Sequence, residues 1–220
     1  RLNNIYLSIK ENWIIAKWML PSTLLQWVSG NLWIINTGLI LGPVILGIVR
    51  ACFSIINIAN LIFQSLENVF PGEISKKFKS GSINKMQIYL KRFALRGLIL
   101  ILFITILIII FSKFLLTFIY GLETAKYYYF LIFLSLTLPL TFLKFPLDYG
   151  LRTLGKTKPM FVSYLFSSFI AVIGSRLIIS QFQLNGLIFG LFIHQITITG
   201  ISYMAYVYYL KKMKNKEVKI

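Results

Sequence analysis

Acidic residues are almost absent from this chain: 6 Asp+Glu stand against 23 Lys+Arg, a formal net charge of +17 over 220 residues. Cysteine and histidine occur once each. The lone thiol, Cys52, lies in an apolar run, which excludes an intrachain disulfide and a cysteine-based metal site and makes it a small packed hydrophobe. The single histidine argues against a histidine-rich metal centre, and no His/Asp/Glu grouping has metal-ligand spacing. Charge of either sign is scarce, at 13% of residues, where a soluble domain uses about a quarter. A nucleic-acid binder reaches such a positive charge with a polar, lysine-rich surface, whereas this chain is 57% hydrophobic with a mean hydropathy of +0.77. These shortages argue against a soluble enzyme, a disordered tail, a disulfide scaffold and a nucleic-acid partner. They fit an integral membrane protein whose basic loops face the cytoplasm.

What the chain does have is long apolar runs. Crossing about 30 Å of hydrocarbon takes roughly 20 mostly apolar residues in a helix. Windows of that size pick out six segments: Trp18 to Leu41, Val44 to Phe70, Arg96 to Phe118, Tyr127 to Pro146, Met160 to Ser180 and Gly186 to Leu210. Helix breakers fall between them, at Gly42-Pro43, Pro71-Gly72, Gly121, Pro146 to Gly155 and Asn185-Gly186. The expected fold class is all-α: a polytopic membrane protein with a cytoplasmic or interfacial linker over residues 1–17, a lobe of six transmembrane helices over 18–210 and a basic cytoplasmic tail over 211–220.

The cations give the orientation. They gather at the N-terminus (Arg1, Lys10, Lys17), after the second segment (Lys76, Lys77, Lys79, Lys85, Lys91, Arg92, Arg96), after the fourth (Lys144, Arg152, Lys156, Lys158) and in the tail (Lys211, Lys212, Lys214, Lys216, Lys219). The opposite loops hold only Lys113 and Lys126, so both termini are expected in the cytoplasm. An even-numbered unit with both ends inside can be fused to a like-oriented copy, as in transporters built from parallel repeats. The opening RLNNIYLSIKENWIIAK is interrupted by charge and lacks a small-residue cleavage site, so it does not read as a cleavable signal peptide. The expectation is that the chain is the C-terminal part of something longer.

The segments differ in what they carry. The third, from Leu98 to Ile110, is apolar on every face except at Thr105, as suits a helix in lipid. In the first, Ser22, Gln26, Ser29, Trp33 and Asn36 recur at 4-3-4-3 spacing and share one helix face. In the second, Arg50, Ser54, Asn57, Gln64, Glu67 and Asn68 form a similar stripe, with Asn60 at its margin. One Arg at the centre of a helix in lipid costs about 2.5–3.5 kcal/mol even on lenient scales, so the stripes should face other helices or a water-filled cavity. Gln26, Asn36, Asn57 and Gln64 read either as glue between helices or as cavity lining. Arg50 lies roughly 10 Å inside the outer boundary and reads as a cavity residue that needs an anion or carboxylate beside it. Glu67, nearer the cytoplasmic end, reaches toward the headgroups. Arg176 fits snorkelling or a cavity role. His194, with Gln195, Thr199, Ser202 and Tyr206, reads as hydrogen-bonded packing or as a proton relay. Gly186-x3-Gly190 is a small-residue packing motif.

One motif is rejected. Gly150-Leu151-Arg152-Thr153-Leu154-Gly155-Lys156-Thr157 matches the phosphate-loop pattern G-x4-G-K-[ST], but that loop needs a buried strand leading into it. Here a transmembrane segment with Pro139 and Pro146 precedes it and Pro159 opens another. No constellation of nucleophile, base and orienting group is present either, so the chain is expected to be neither an enzyme nor a cofactor binder.

The ordered turns resemble a known family. Gly42-Pro43 with Gly47-Ile48-Val49-Arg50-Ala51, Leu66-Glu67-Asn68-Val69-Phe70-Pro71 with Ile74-Ser75-Lys76-Lys77, Ile119-Tyr120-Gly121 with Thr124-Ala125, Gly155-Lys156, and Leu184-Asn185-Gly186-Leu187-Ile188-Phe189-Gly190 are similar to successive turns in the C-terminal half of an O-antigen or polysaccharide flippase. These flippases belong to the multidrug/oligosaccharidyl-lipid/polysaccharide exporter superfamily. The bulky residues after Gly186 and Gly190, and Ser167-Ser168 in the fifth segment, depart from the pattern. The resemblance implies two six-helix lobes around a cavity in the bacterial inner membrane. This chain would be the second, covalently continuous with a missing first lobe, and the substrate a polyprenyl-diphosphate-linked oligosaccharide. Arg50, and Arg176 with it, would then meet the diphosphate or an acidic sugar, while Gln26, Asn36, Asn57 and Gln64 bond sugar hydroxyls. A multidrug or cation antiporter is the rival within the superfamily. A membrane polysaccharide polymerase would show a long catalytic outer loop, and the outer connections here are short.

Overall fold

In a lipid core every backbone N–H and C=O must be satisfied within the chain, so long apolar runs become helices. The computed structural model describes residues 2–79 and 83–217, with side chains over 13, 16–61, 70–78 and 83–215. Among the described residues there is helix and turn and no strand. The elements are α1 (Leu2–Lys79), α2 (Ile83–Tyr120), α3 (Leu122–Ala125), α4 (Tyr128–Ser135), α5 (Thr137–Thr153) and α6 (Lys158–Glu217). Among the described residues, 4 stretches are long and apolar enough to cross a membrane: Ala16–Leu61, Ile83–Tyr120, Tyr128–Thr153 and Lys158–Asn215.

Two of these stretches fold back on themselves. Gly42, with φ 87 and ψ 171, leaves the helical region as only glycine does easily, and Pro43 opens the next leg, where its missing N–H has no partner to lose. Gly30 and Asn60 line one cavity, although unbroken helix would hold them about 45 Å apart. In α6 the reversal is at Gln183 (φ 52, ψ −129), and across it the Ser167 hydroxyl lies 2.6 Å from His194 Nδ1. The expected breaker, Asn185-Gly186, lies just past this point. Gly186 instead serves the hairpin by its size, since a Cβ there would meet the backbone carbonyl of Ile178. Gln183 occupies backbone space that favours glycine, at a typical cost of about 1–3 kcal/mol. Gln183→Gly is expected to stabilise the chain by about 1 kcal/mol after the entropy cost of glycine. A thermal-unfolding midpoint in detergent checks this; a lower midpoint for the variant contradicts it.

Three expected boundaries move. The segment ending at Phe70 runs on through Pro71-Gly72 to Lys79, the segment beginning at Arg96 is part of a helix that starts at Ile83, and the segment ending at Pro146 runs on as α5 to Thr153. A proline inside a membrane helix is tolerated because neighbouring groups take up the freed carbonyl, so Pro146 does not stop this one.

The apolar core gathers Trp33, Cys52, Ile101, Leu116, Phe130, Phe142 and Leu187 from α1, α2, α4, α5 and α6. Trp33 is fully buried, and its ring lies flat enough on Gly190 that a Cβ there would overlap it. A second cluster at one end joins Ile74, Ile83, Met86, Leu90, Leu154 and Leu210. It brings together the end of α1, the start of α2 and the ends of α5 and α6, so the basic stretches flanking those residues share one end of the bundle. The outward face of α2, with Ile99, Phe103, Ile106 and Ile110 exposed, is apolar between Arg96 and Lys113, the chemistry of a surface against lipid.

Candidate functional site

The polar groups inside the bundle begin with two residues one turn apart on α5. Lys144 and Asp148, 7% and 8% exposed, form an ion pair at i,i+4 spacing. Away from water neither charge is tolerable alone, so each is held by further groups. Ser202 of α6 donates to Asp148 Oδ1 at 3.0 Å, and Lys144 Nζ stands 4.7 Å from the centre of the Tyr164 ring. Both charged residues line a cavity of about 220 Å³ together with Ser22, Gln26, Arg152 and Tyr164. The Arg152 guanidinium covers the Tyr149 ring at 4.9 Å, and its Nε is buried with no hydrogen-bond acceptor.

A second cavity, of about 290 Å³, lies between the two legs of α1 and the elements α4, α5 and α6. Asn31, Asn57, Asn60, His194 and Gln195 supply its polar lining, and Thr141 lines both cavities. Asn60 donates to Asn57 at 3.1 Å, His194 is tied to Ser167, and Gln195 donates to Thr199 at 3.2 Å. These pairings leave polar edges that could exchange partners with a hydroxylated ligand, while the walls stay apolar.

The structure sorts the sequence candidates. Gln26 lines the first cavity; Asn57 and His194 line the second. Asn36 donates to Ser175 Oγ at 2.6 Å across the α1–α6 contact, which makes it glue between helices. Arg50 is exposed, lines neither cavity, and has no ion pair among the described residues, which leaves an anion as the expected neighbour. It shares an outward face with exposed Ser54 and Asn57. Arg176 is exposed among Val172, Ile173 and Leu177, in surroundings that suit a side chain stretched toward an interface. The side chains of Gln64 and Glu67 lie outside the described residues.

One reading from sequence is corrected: Lys144, which the charge count places with a basic loop, is buried with Asp148 in α5. The signal is in the sequence, since Lys144 and Asp148 stand four apart within the stretch Leu143 to Tyr149, but Pro146 reads there as a helix breaker. Tyr164 carries no signal in the sequence, and Ser202, read with His194, has no partner there: both join the site only through packing of α6 against α5. The phosphate-loop match fails on geometry. Gly150 to Thr153 are helical, and the N–H groups of Gly155 and Lys156 already donate to Arg152 and Leu151, at 2.9 and 2.8 Å.

A helical bundle with a lipid-type face, buried compensated charge and polar cavities fits a membrane-embedded chain. The model of the MatE family matches residues 19–177. No curated protein and no solved structure matches the chain. The match spans most of the chain, including both legs of α1, all of α2 to α5 and the first leg of α6. Members of the family are membrane transporters of the multidrug/oligosaccharidyl-lipid/polysaccharide exporter superfamily, and this chain belongs to the MatE family.

Proposed function

We propose that the chain is one six-crossing lobe of a two-lobe flippase that moves a polyprenyl-diphosphate-linked oligosaccharide across the bacterial inner membrane. The reversals at Gly42 and Gln183 divide two of the long helical stretches, so that 4 apolar stretches become six crossings. An even count returns both ends to the basic, cytoplasmic end. Residues 1–17 then serve as the linker from a first lobe and 211–220 as the tail.

The observation that carries the substrate reading is the contrast between two outward faces. That of α2 is apolar between exposed Arg96 and Lys113, whereas the second leg of α1 turns Arg50, Ser54 and Asn57 outward together, with no acid to neutralise the guanidinium among the described residues. A guanidinium against hydrocarbon is unfavourable, so this face belongs against a water-filled path between lobes. There Arg50 meets the diphosphate, which it can hold bidentately, and Gln26, Asn57 and His194 meet sugar hydroxyls. An exporter of cationic drugs would need an embedded carboxylate free to attract them. Asp148 is the buried acid among the described residues, and Lys144 and Ser202 already hold it.

Arg50→Ala in the full-length protein is expected to lower polysaccharide export about tenfold at matched expression, the loss of one charge-assisted phosphate contact. Arg50→Lys should recover part of it. Unchanged export by Arg50→Ala, or export of cationic dyes that the variant leaves intact, overturns the assignment.

A further inference from the structure

A groove between α2, α5 and the last leg of α6, of about 780 Å³, shares no lining residue with either polar cavity. Its walls are apolar: Leu90, Ala94, Leu143, Leu147, Tyr203 and Val207. Its cationic rim consists of Lys91, Lys211 and Lys214, and no carboxylate lines it. Lys214 is directed by Gln87, to which its ammonium donates at 2.7 Å. These lysines belong to the basic end of the bundle, where Leu90 and Leu210 pack into the second apolar cluster. Just beyond the groove along α2 stand Leu95 and Ile99, both largely exposed, so the groove opens on the lipid-type face.

We propose that this groove binds one anionic diacyl phospholipid from the basic-side leaflet, with its phosphate among Lys91, Lys211 and Lys214 and an acyl chain along the apolar walls. Three ammonium groups around one opening repel one another unless an anion joins them, and each lysine near a membrane surface favours an anionic lipid. The walls decide between a lipid and a free phosphate ion. A small anion would occupy the rim and leave a long apolar trough unfilled, whereas a hydrocarbon chain removes that trough from water and matches its surface. The proposal needs only a membrane-embedded chain, so its failure and the failure of the flippase reading are separate results.

The test is native mass spectrometry of the full chain released from nanodiscs made of equal parts phosphatidylglycerol and phosphatidylcholine. One phosphatidylglycerol should be retained in preference to phosphatidylcholine. Retention should fall about fivefold for each lysine replaced among Lys91→Gln, Lys211→Gln and Lys214→Gln. The triple variant should retain both lipids equally, and Ala94→Trp, which fills the trough, should retain neither. Should Ala94→Trp fail to fold, the lysine variants, which lie at the surface, still decide the matter. Equal retention of the two lipids by the unaltered chain overturns the proposal. So does unchanged phosphatidylglycerol retention by the triple variant, or displacement of the lipid by millimolar inorganic phosphate, which would mark the rim as a simple anion site.

Discussion

Asp148→Ala is expected to destabilise the folded chain by about 3–5 kcal/mol, the largest single-residue effect on the polar interior. The substitution leaves the Lys144 ammonium buried with the Tyr164 ring as a neighbour and no counter-charge, and it strips the Ser202 hydroxyl of its acceptor. The cost is that of an orphaned charge rather than the net worth of the pair. A second variant separates the two. Lys144→Met with Asp148→Leu removes both charges while keeping volume, and replacement of a buried pair by packed apolar groups is commonly neutral or stabilising. The double variant should therefore unfold within about 1 kcal/mol of the parent, whereas Asp148→Ala alone should show a much lower thermal midpoint in the same detergent. If both variants are equally damaged, the pair is needed for more than charge balance. If neither is, the pair is not buried as described.

The second large effect concerns the contact between α1 and α6. Trp33→Ala should cost about 3–5 kcal/mol, the range for deleting a large aromatic side chain from a core, because Trp33 is fully buried and fills the space that Gly190 leaves open. Gly190→Ala attacks the same contact from the opposite side. Its methyl group would overlap the indole ring, and overpacking of this kind costs about 1–3 kcal/mol. Because the two residues share one contact, their effects should not add. Trp33→Leu combined with Gly190→Ala should be less damaging than the sum of the single changes, measured as unfolding midpoints. Additive losses would show that the ring and the glycine do not depend on each other.

The Gly186-x3-Gly190 motif shows how far sequence reading reached. Its role in packing was readable because small residues at helical spacing permit close approach, yet the two glycines work differently. Gly186 admits a backbone and Gly190 admits a tryptophan from another element. Which neighbour arrives is a property of the hairpins at Gly42 and Gln183, not of the motif. Asn36 teaches the same lesson. Its place on a polar stripe was plain, but the choice between cavity and glue depended on Ser175, 139 residues away.

By itself the sequence determined the solvent and the element type. Lipid cannot satisfy a backbone group and penalises charge, so composition and run length already require apolar helices with cations at one end. It located the Gly42 reversal outright, because glycine acts on its own backbone, and the α6 reversal to within a few residues, at Gln183 before Asn185-Gly186. The tertiary structure alone decided which embedded polar groups are spent on one another. Lys144 and Asp148 compensate each other, Asn36 is taken by Ser175, and Arg50 is left facing outward without a counter-charge among the described residues. Compensation is a matter of which helix faces meet, and electrostatic energy depends on distances between residues that the chain separates and only the packed bundle brings together.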